Sequence, residues 1–220
     1  DSLFTLIFVL VGFWFVLSEG IFFWLIFNFR AKEGQPAEYI TGEEKSQKRW
    51  ITIPHILVLI CDVFIIIGAV RVWYDVKQNL PPAQETVRIV SQQWTWTFVH
   101  AGPDGQLDTA DDIAKVNELH LKENTLYHYK LESQDVMHSF SVPVFRLKQD
   151  AFPGREITGW FKPTLAGEFD IQCTEICGIG HGLMGAKLTV ANEADHAAWM
   201  AQESPVALAA VTTPQTAVEE

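Results

Sequence analysis

Residues 3 to 29, LFTLIFVLVGFWFVLSEGIFFWLIFNF, make a run of 27 positions in which Glu19 is the only ionisable side chain. At about 1.5 Å per residue a helix over this run reaches roughly 40 Å, enough to cross a bilayer with some tilt. A secretory signal would bring a basic leading region, a shorter apolar core and a small-residue cleavage site, and the run shows none of these. A second run, ITIPHILVLICDVFIIIGAV over 51 to 70, has 20 residues and carries His55 and Asp62 inside it. The stretch between the runs, 30 to 50, holds Arg30, Lys32, Lys45, Lys48 and Arg49, while no basic residue stands ahead of the first run. Counting Lys and Arg therefore puts that loop in the cytoplasm and everything after about Tyr74 outside. The expected organisation is a transmembrane helical hairpin over 1–74 with spans at about 3–29 and 51–72, a linker over 75–84, an extracytoplasmic domain over 85–203, and a flexible tail over 204–220.

Charge divides along the same line. Residues 75 to 220 contain 20 Asp or Glu against 10 Lys or Arg, so they supply −10 of the chain's −11. An acidic outer domain repels nucleic acid and attracts a cationic partner with a salt-dependent association rate. Solubility alone would ask for the same charge.

Past the prolines of NLPPAQE (79–85) the outer part reads as short strands punctuated by turns. ETVRIVSQQWTWTF alternates as one strand, placing Trp94, Trp96 and Phe98 on one face. LYHYKLES (126–133), HSFSVPVF (138–145), EITGWF (156–161), GEFDIQC (167–173) and LMGAKLTV (183–190) supply five more. Six such strands predict a Greek-key sandwich or barrel. Residues 101 to 117, AGPDGQLDTADDIAKVN, interrupt the pattern and read as a loop or insertion. The aspartates over 104–112 offer carboxylates to a calcium ion, but the full EF-hand ligand set is missing and a solvated acidic loop accounts for them better. A short helix is expected from Asn192, with Asp195 three residues on.

The chemistry concentrates in CTEICGIGHGLM, 173 to 184, which places Cys173, Cys177, His181 and Met184 on one short stretch. A Cys173–Cys177 disulfide would close a tiny loop and stabilise little. Structural zinc prefers C-x2-C with a second Cys/His pair and does not use methionine. Copper suits soft thiolate and thioether sulfurs together with imidazole. A mononuclear blue-copper site needs one thiolate, whereas two thiolates can bridge a pair of copper ions. Such a pair asks for a second imidazole besides His181. His138, in QDVMHSFSVP, starts a strand, where a histidine taken alone is more often a hydrogen-bonded structural residue than a ligand.

QDVMHSFSVP, LKQDAFPGR, CTEICGIGHGLM, the QWTW strand and the two preceding apolar runs together resemble subunit II of the haem-copper oxidases, over nearly the whole chain. The C-x-E-x-C-x3-H-x2-M core is the distinctive part. The resemblance implies a cupredoxin domain carrying a dinuclear copper centre, CuA, with His138, Cys173, Cys177, His181 and Met184 as side-chain ligands and the backbone carbonyl of Glu175 as a further one. It implies that the Glu175 carboxylate reaches towards a magnesium ion shared with the catalytic subunit I. Trp94 matches the tryptophan at which such subunits receive electrons from cytochrome c, Asp135 and Asp150 fall where the family carries part of its acidic docking surface, and Trp96 is expected in the core. The implied function is electron relay from cytochrome c, or another cationic carrier, to haem in subunit I, which carries out oxygen reduction and proton translocation in a bacterial-type plasma membrane with the copper domain on the periplasmic side.

Departures from the family pattern bear on the proton route. Where family members commonly read E-x-x-W-T-x-x-P, this chain reads QKRWITIP, with Gln47 in the glutamate's place, and a glutamine cannot hand on a proton as a carboxylate does. Intramembrane Glu19, His55 and Asp62 are candidates for an altered proton path or for contacts with subunit I and lipid. They keep open a second function, the electron-accepting CuA subunit of a haem-copper nitric oxide reductase. From another class, a membrane-anchored copper carrier would want a sparse, exposed site.

Overall fold

The computed structural model describes residues 2–36 and 40–205. The chain divides into two compact units, 1–79 and 80–220. The expected tail lies outside the described residues from 206 onward.

The first unit is a helical hairpin. Helix α1 spans Ser2–Asn28 and α2 spans Lys45–Trp73, and neither buries a single residue. Apolar side chains pointing outward all round are what a helix in hydrocarbon presents. Both helices are long and apolar enough to cross a membrane. They meet where Trp14 Nε1–H donates to Cys61 Sγ at 3.2 Å. Gly68 permits a close approach as well, since a Cβ there would stand 3.0 Å from Leu3 Cδ1. Helix α2 starts ahead of the expected span because Lys45, Gln47, Lys48 and Arg49 are all good helix formers. A π-helical turn, Tyr74–Gln78, then prolongs it into the expected linker, and Pro81 and Pro82 prevent further winding. Gln47 Oε1 accepts Gly42 N–H at 2.8 Å. His55 turns Nδ1 onto the Ile51 carbonyl at 2.8 Å, the local way to satisfy a polar ring in an apolar span. Glu19 is half-buried and Asp62 exposed on the hairpin.

The second unit is a sandwich of two five-stranded sheets, as a Greek-key cupredoxin fold requires. The strands are β1 Glu85–Gln92, β2 Thr95–His100, β3 Ile113–Val116, β4 Glu118–Lys122, β5 Tyr127–Ser133, β6 His138–Val142, β7 Leu147–Ala151, β8 Ile157–Phe161, β9 Gly167–Cys173 and β10 Gly185–Ala191, followed by helix α3, Glu193–Glu203. One sheet runs β3-β2-β1-β5-β8 and the other β4-β10-β9-β6-β7. Period-two alternation is clearest in β5, where Tyr127, Tyr129, Leu131 and Ser133 point inward. Trp96 and Phe98 of β2 meet Phe140 of β6 edge-on across the core, at 5.4 and 6.3 Å. Trp96 is wholly buried.

Two differences from the strand reading have physical causes. ETVRIVSQQWTWTF is not one strand: it folds back at Gln93 and Trp94 into the antiparallel pair β1–β2, with Gln92 opposite Thr95. Trp94 therefore leaves the Trp96–Phe98 face and sits in a turn at one end of the sandwich. The interrupting segment contains β3 and ends where β4 begins, and these two strands belong to different sheets. Asn117 between them takes a left-handed φ of 58°, accepts Trp96 N–H on Oδ1 at 2.9 Å, and donates its own N–H to Trp96 O at 2.7 Å. Asparagine tolerates that conformation and ties the crossing strand to β2. Asn192 caps α3 by accepting Asp195 N–H at 3.0 Å.

Candidate metal centre

β6 and β9 lie side by side with Phe140 opposite Cys173, the last residue of β9, so His138, which starts β6 two residues before Phe140, falls diagonally beside that cysteine. His138 Nδ1 is 3.9 Å from Cys173 Sγ. The chain then loops through 174–184 and returns as β10. Cys173 N–H donates to Met184 O and Thr174 N–H to Ser139 O, each at 3.1 Å, closing the foot of this loop on the sheet. Inside it Cys177 Sγ stands 3.7 Å from Cys173 Sγ, 3.6 Å from His181 Nδ1 and 3.8 Å from Met184 Sδ. The Glu175 carbonyl oxygen is 3.3 Å from Cys173 Sγ. Both cysteines are free thiols, so no disulfide joins them.

These spacings fit donors that share metal ions. Two donors held about 2.0–2.3 Å from one ion at near-tetrahedral angles stand about 3.3–3.8 Å apart. Weak hydrogen bonds between sulfurs do not by themselves gather two thiols, a thioether and two imidazoles in one place. The donors are also dry: His138, Cys177, Met184 and Cys173 are all buried. Burial, and after it the neighbouring Cys173, push the Cys177 thiol up to about 11, so two adjacent thiolates here call for cationic charge between them. Sulfur-rich donors with imidazole match copper, and Met184 inside the set speaks against zinc. Each sulfur has its own imidazole, His138 beside Cys173 and His181 beside Cys177, which is more donors than one tetrahedral ion uses. Among the described residues, His138, Cys173 and Cys177 form the one group of three or more His, Cys, Asp or Glu whose ligand atoms lie within 4.8 Å of one another.

Asp135 is placed differently from a simple surface acid. Its Oδ1 lies 2.8 Å from His138 Nε2 and accepts Val136 N–H at 2.6 Å, while Oδ2 accepts Gln93 N–H at 2.7 Å. Burial acts to raise this carboxyl, and the donors from His138, Gln93 and Val136 outweigh it, holding it below the usual carboxylate range. A proton on Nε2 leaves Nδ1 with its lone pair towards the sulfurs, the tautomer a metal ligand needs.

The Gln93–Trp94 turn covers the loop from the other side. Trp94 Nε1–H and Gln93 Nε2–H both donate to Cys177 O, at 3.3 and 2.8 Å. The indole rests on the CGIG segment, and glycine is what admits it. A Cβ on Gly180 would fall 2.4 Å from Trp94 Cδ2, and Gly178 combines a φ of +120° with a Cβ position 3.3 Å from Trp94 Cζ2. Trp94 stays partly exposed, while Trp96 behind it meets the His138 ring edge-on at 6.2 Å.

Asp150 Oδ1 accepts Ser139 Oγ–H at 2.7 Å and lies 3.8 Å from Lys148 Nζ. The aspartates over 104–112 are engaged locally. Asp108 forms a two-pronged pair with Arg88 at 2.7 Å, Asp111 accepts Thr109 Oγ1–H and Asp104 N–H, and Asp112 accepts Asp108 N–H. Glu19, His55 and Asp62 belong to the hairpin unit. Sequence reasoning did not single out Gln93, Gly178 or Gly180, and it did not see Asp135 as the partner of His138. The D-x-x-H spacing and the glycines flanking Ile179 were the available signals. It also passed over three apolar loop residues, Ile176, Ile179 and Leu183, which are at least 83% exposed.

Comparison with known proteins points the same way. The family model for the periplasmic domain of cytochrome c oxidase subunit II matches residues 104–191. The chain is 31% identical to the alternative cytochrome c oxidase subunit 2 of Bradyrhizobium diazoefficiens, an alignment covering 94% of this chain and 81% of that one. It is 30% identical to the probable cytochrome c oxidase subunit 2 of Rickettsia bellii, over 72% of this chain and 62% of the relative. The crystal structure of the periplasmic domain of subunit II of cytochrome oxidase of Bradyrhizobium japonicum superposes with a TM-score of 0.51 at 27% identity, covering 57% of this chain and 96% of that one.

Proposed function

Since the chain belongs to the family of cytochrome c oxidase subunit II, we propose that it is the electron-accepting subunit of a haem-copper oxidase that reduces oxygen, anchored by its hairpin in a bacterial-type plasma membrane with the sandwich on the periplasmic side. The observation that carries this reading is the pair of unbonded thiols 3.7 Å apart, each with its own imidazole. Cys173, Cys177, His138, His181, Met184 and the Glu175 carbonyl would hold a dinuclear copper centre. Bound there, the copper pair supplies a one-electron couple. The chain's own residues do the rest: the strands hold His138 and Cys173, Asp135 fixes the His138 tautomer, and the closed foot of the loop resists displacement of Cys177, His181 and Met184. Little movement of ligands is what fast electron transfer asks of a scaffold.

Trp94 is the side chain we assign to electron uptake, because its partly exposed indole is hydrogen-bonded to the carbonyl of a ligand residue. The carrier is a cationic one, a c-type cytochrome, drawn by the −10 outer part, with Asp150 contributing to the field. Asp135 serves docking only secondarily, since its carboxylate is committed to three donors. Ile176, Ile179 and Leu183 give the centre an apolar rim suited to a protein partner, either this carrier or the haem-bearing catalytic subunit. The Glu175 carboxylate is the group we assign to a magnesium ion at the boundary with that subunit. The names of the relatives are those of oxidase subunits, and the nitric oxide reading draws no support from them.

Copper loading of the full chain in detergent, followed by electron paramagnetic resonance, tests the proposal. The expected signal is the hyperfine pattern of one electron shared by two copper nuclei, lost in Cys173→Ser. A single-copper pattern in the wild type, or a signal indifferent to Cys173→Ser, overturns it.

A further inference from the structure

A second concentration of imidazoles lies elsewhere in the sandwich, where helix α3 is fastened down. His100 ends β2, His120 is in the middle of β4, and His196 lies on α3 itself, one turn before Trp199. All three rings meet that indole. His120 stacks flat on it at 4.3 Å and 10°, His100 meets it edge-on at 5.0 Å and 75°, and His196 lies 5.7 Å away at 47°. His100 and His196 are buried, and His100 Nε2 has no hydrogen-bond partner among the described residues. The charged groups around the cluster are Lys115 of β3, Glu118 and Lys122 of β4, Glu85 of β1 and Glu203 of α3. Two ion pairs bind these groups: Lys115 Nζ with Glu203 at 3.1 Å, and Lys122 Nζ with Glu85 at 3.2 Å. Glu118 is 3.9 Å from both Lys115 Nζ and His120 Nε2. Among the described residues no carboxylate reaches the buried Nε2 of His100, so a proton there is enclosed without an acceptor from them.

We propose that α3 is a pH-sensitive latch: Trp199 holds it on the sandwich while the three imidazoles are neutral, and acidification of the compartment outside the membrane releases it. The rings sit on three separate elements, and lifting α3 opens all of them to water at once. Release also bares β4, an edge strand of its sheet.

The direction follows from linkage. Burial first, then the nearby His120, His196 and Lys115, hold His100 down to about 3, against 6.5 for a free imidazole. Burial lowers His120 and His196 too; for His120 Glu118 and Glu203 pull the other way, and for His196 Glu85 does. The released state therefore binds more protons below about pH 6.5, and the docked state loses ground as pH falls. For His100 alone, fully exposed on release, the equilibrium for lifting α3 rises about thirty-fold between about pH 7.5 and about pH 5.0. The latch is independent of the metal centre and of its assignment.

Hydrogen exchange of the full chain in detergent, corrected for the intrinsic chemical rate at each pH, reads the opening of residues 193–203 directly. The expected result is an opening constant for α3 at least about ten-fold larger at about pH 5.0 than at about pH 7.5, with α3 opening at least about ten-fold more often than the central strand β1 at both pH values. His120→Gln and His100→Gln are each expected to make the rise shallower, and the partly exposed His120 gives the variant that folds most readily. Flat protection of α3, an opening constant for α3 no larger than that of β1, or an unaltered rise in the folded variants overturns the proposal.

Discussion

Replacing Asp135 by asparagine keeps the shape of the side chain and removes one acceptor. In the wild type Oδ1 faces His138 Nε2 and Val136 N–H, while Oδ2 faces Gln93 N–H, at 2.6 to 2.8 Å. An amide has one oxygen, so one of these sides must meet an NH2 group. With the oxygen turned to His138, Gln93 loses its acceptor and the turn carrying Trp94 loosens. With the oxygen turned to Gln93, the amide donates to Nε2, the imidazole proton moves to Nδ1, and the nitrogen facing Cys173 can no longer ligate. A donor left unsatisfied costs about 1–3 kcal/mol, a factor of about 5 to 150. Loss of the carboxylate behind a ligating histidine typically weakens metal binding about 10–100-fold. The expected result for Asp135→Asn is therefore copper binding weakened by about 10–100-fold. Titration of the full chain in detergent against a chelator of known copper affinity measures it. An affinity within three-fold of wild type, with the far-ultraviolet circular dichroism unchanged, refutes the reasoning.

Gly180→Ala puts a methyl where the Trp94 ring now lies, so the indole has to leave the loop. Overpacking of this kind costs about 1–3 kcal/mol, seen as a lower urea midpoint, and reduction by cytochrome c is expected to slow while the copper spectrum persists. Unchanged reduction kinetics would remove Trp94 from the uptake path. Raising ionic strength from about 0.01 to 0.15 M shortens the screening length from about 30 to 8 Å, so second-order reduction by cytochrome c should fall steeply; a flat salt profile contradicts docking on an acidic face. His100 is buried neutral, so its share of stability is present above pH 6.5 and is lost as pH falls below it, at about 1.4 kcal/mol per pH unit. Urea unfolding of the full chain at about pH 7.5 and 5.0 should differ by about 2 kcal/mol in the sandwich transition from this residue, and His100→Gln should narrow that gap.

The hairpin was legible because a long uncharged run has few other destinations, and β5 because tyrosines and leucine alternate with polar residues. The turn at Gln93–Trp94 was not, since neither residue is a turn former and the shift of apolar phase from Val87 and Ile89 to Trp96 and Phe98 is spread over the polar stretch SQQ. β3 and β4 were hidden by their shortness and by the aspartates ahead of them. β7, with the polar sequence LKQDA, is an edge strand whose outer face needs no apolar residue. The spacing of Cys173, Cys177, His181 and Met184 made the loop conspicuous, whereas the place of His138 beside it depends on β6 pairing with β9, a contact 35 residues apart in sequence that local pattern does not encode. Asp135 looked like any surface acid, because an exposed carboxylate and one that steers a ring have the same immediate neighbours in sequence.

The donors are divided between two supports. His138 and Cys173 are built into neighbouring strands, while Cys177, His181 and Met184 ride on one segment whose two ends are pinned together at Cys173 and Met184. Exchanging that segment for a shorter one without a thiolate would leave His138, Cys173 and the whole sandwich in place. Evolution, or an engineer, can thus change how many ions such a scaffold carries by rewriting a cassette, without having to fold a new protein around them.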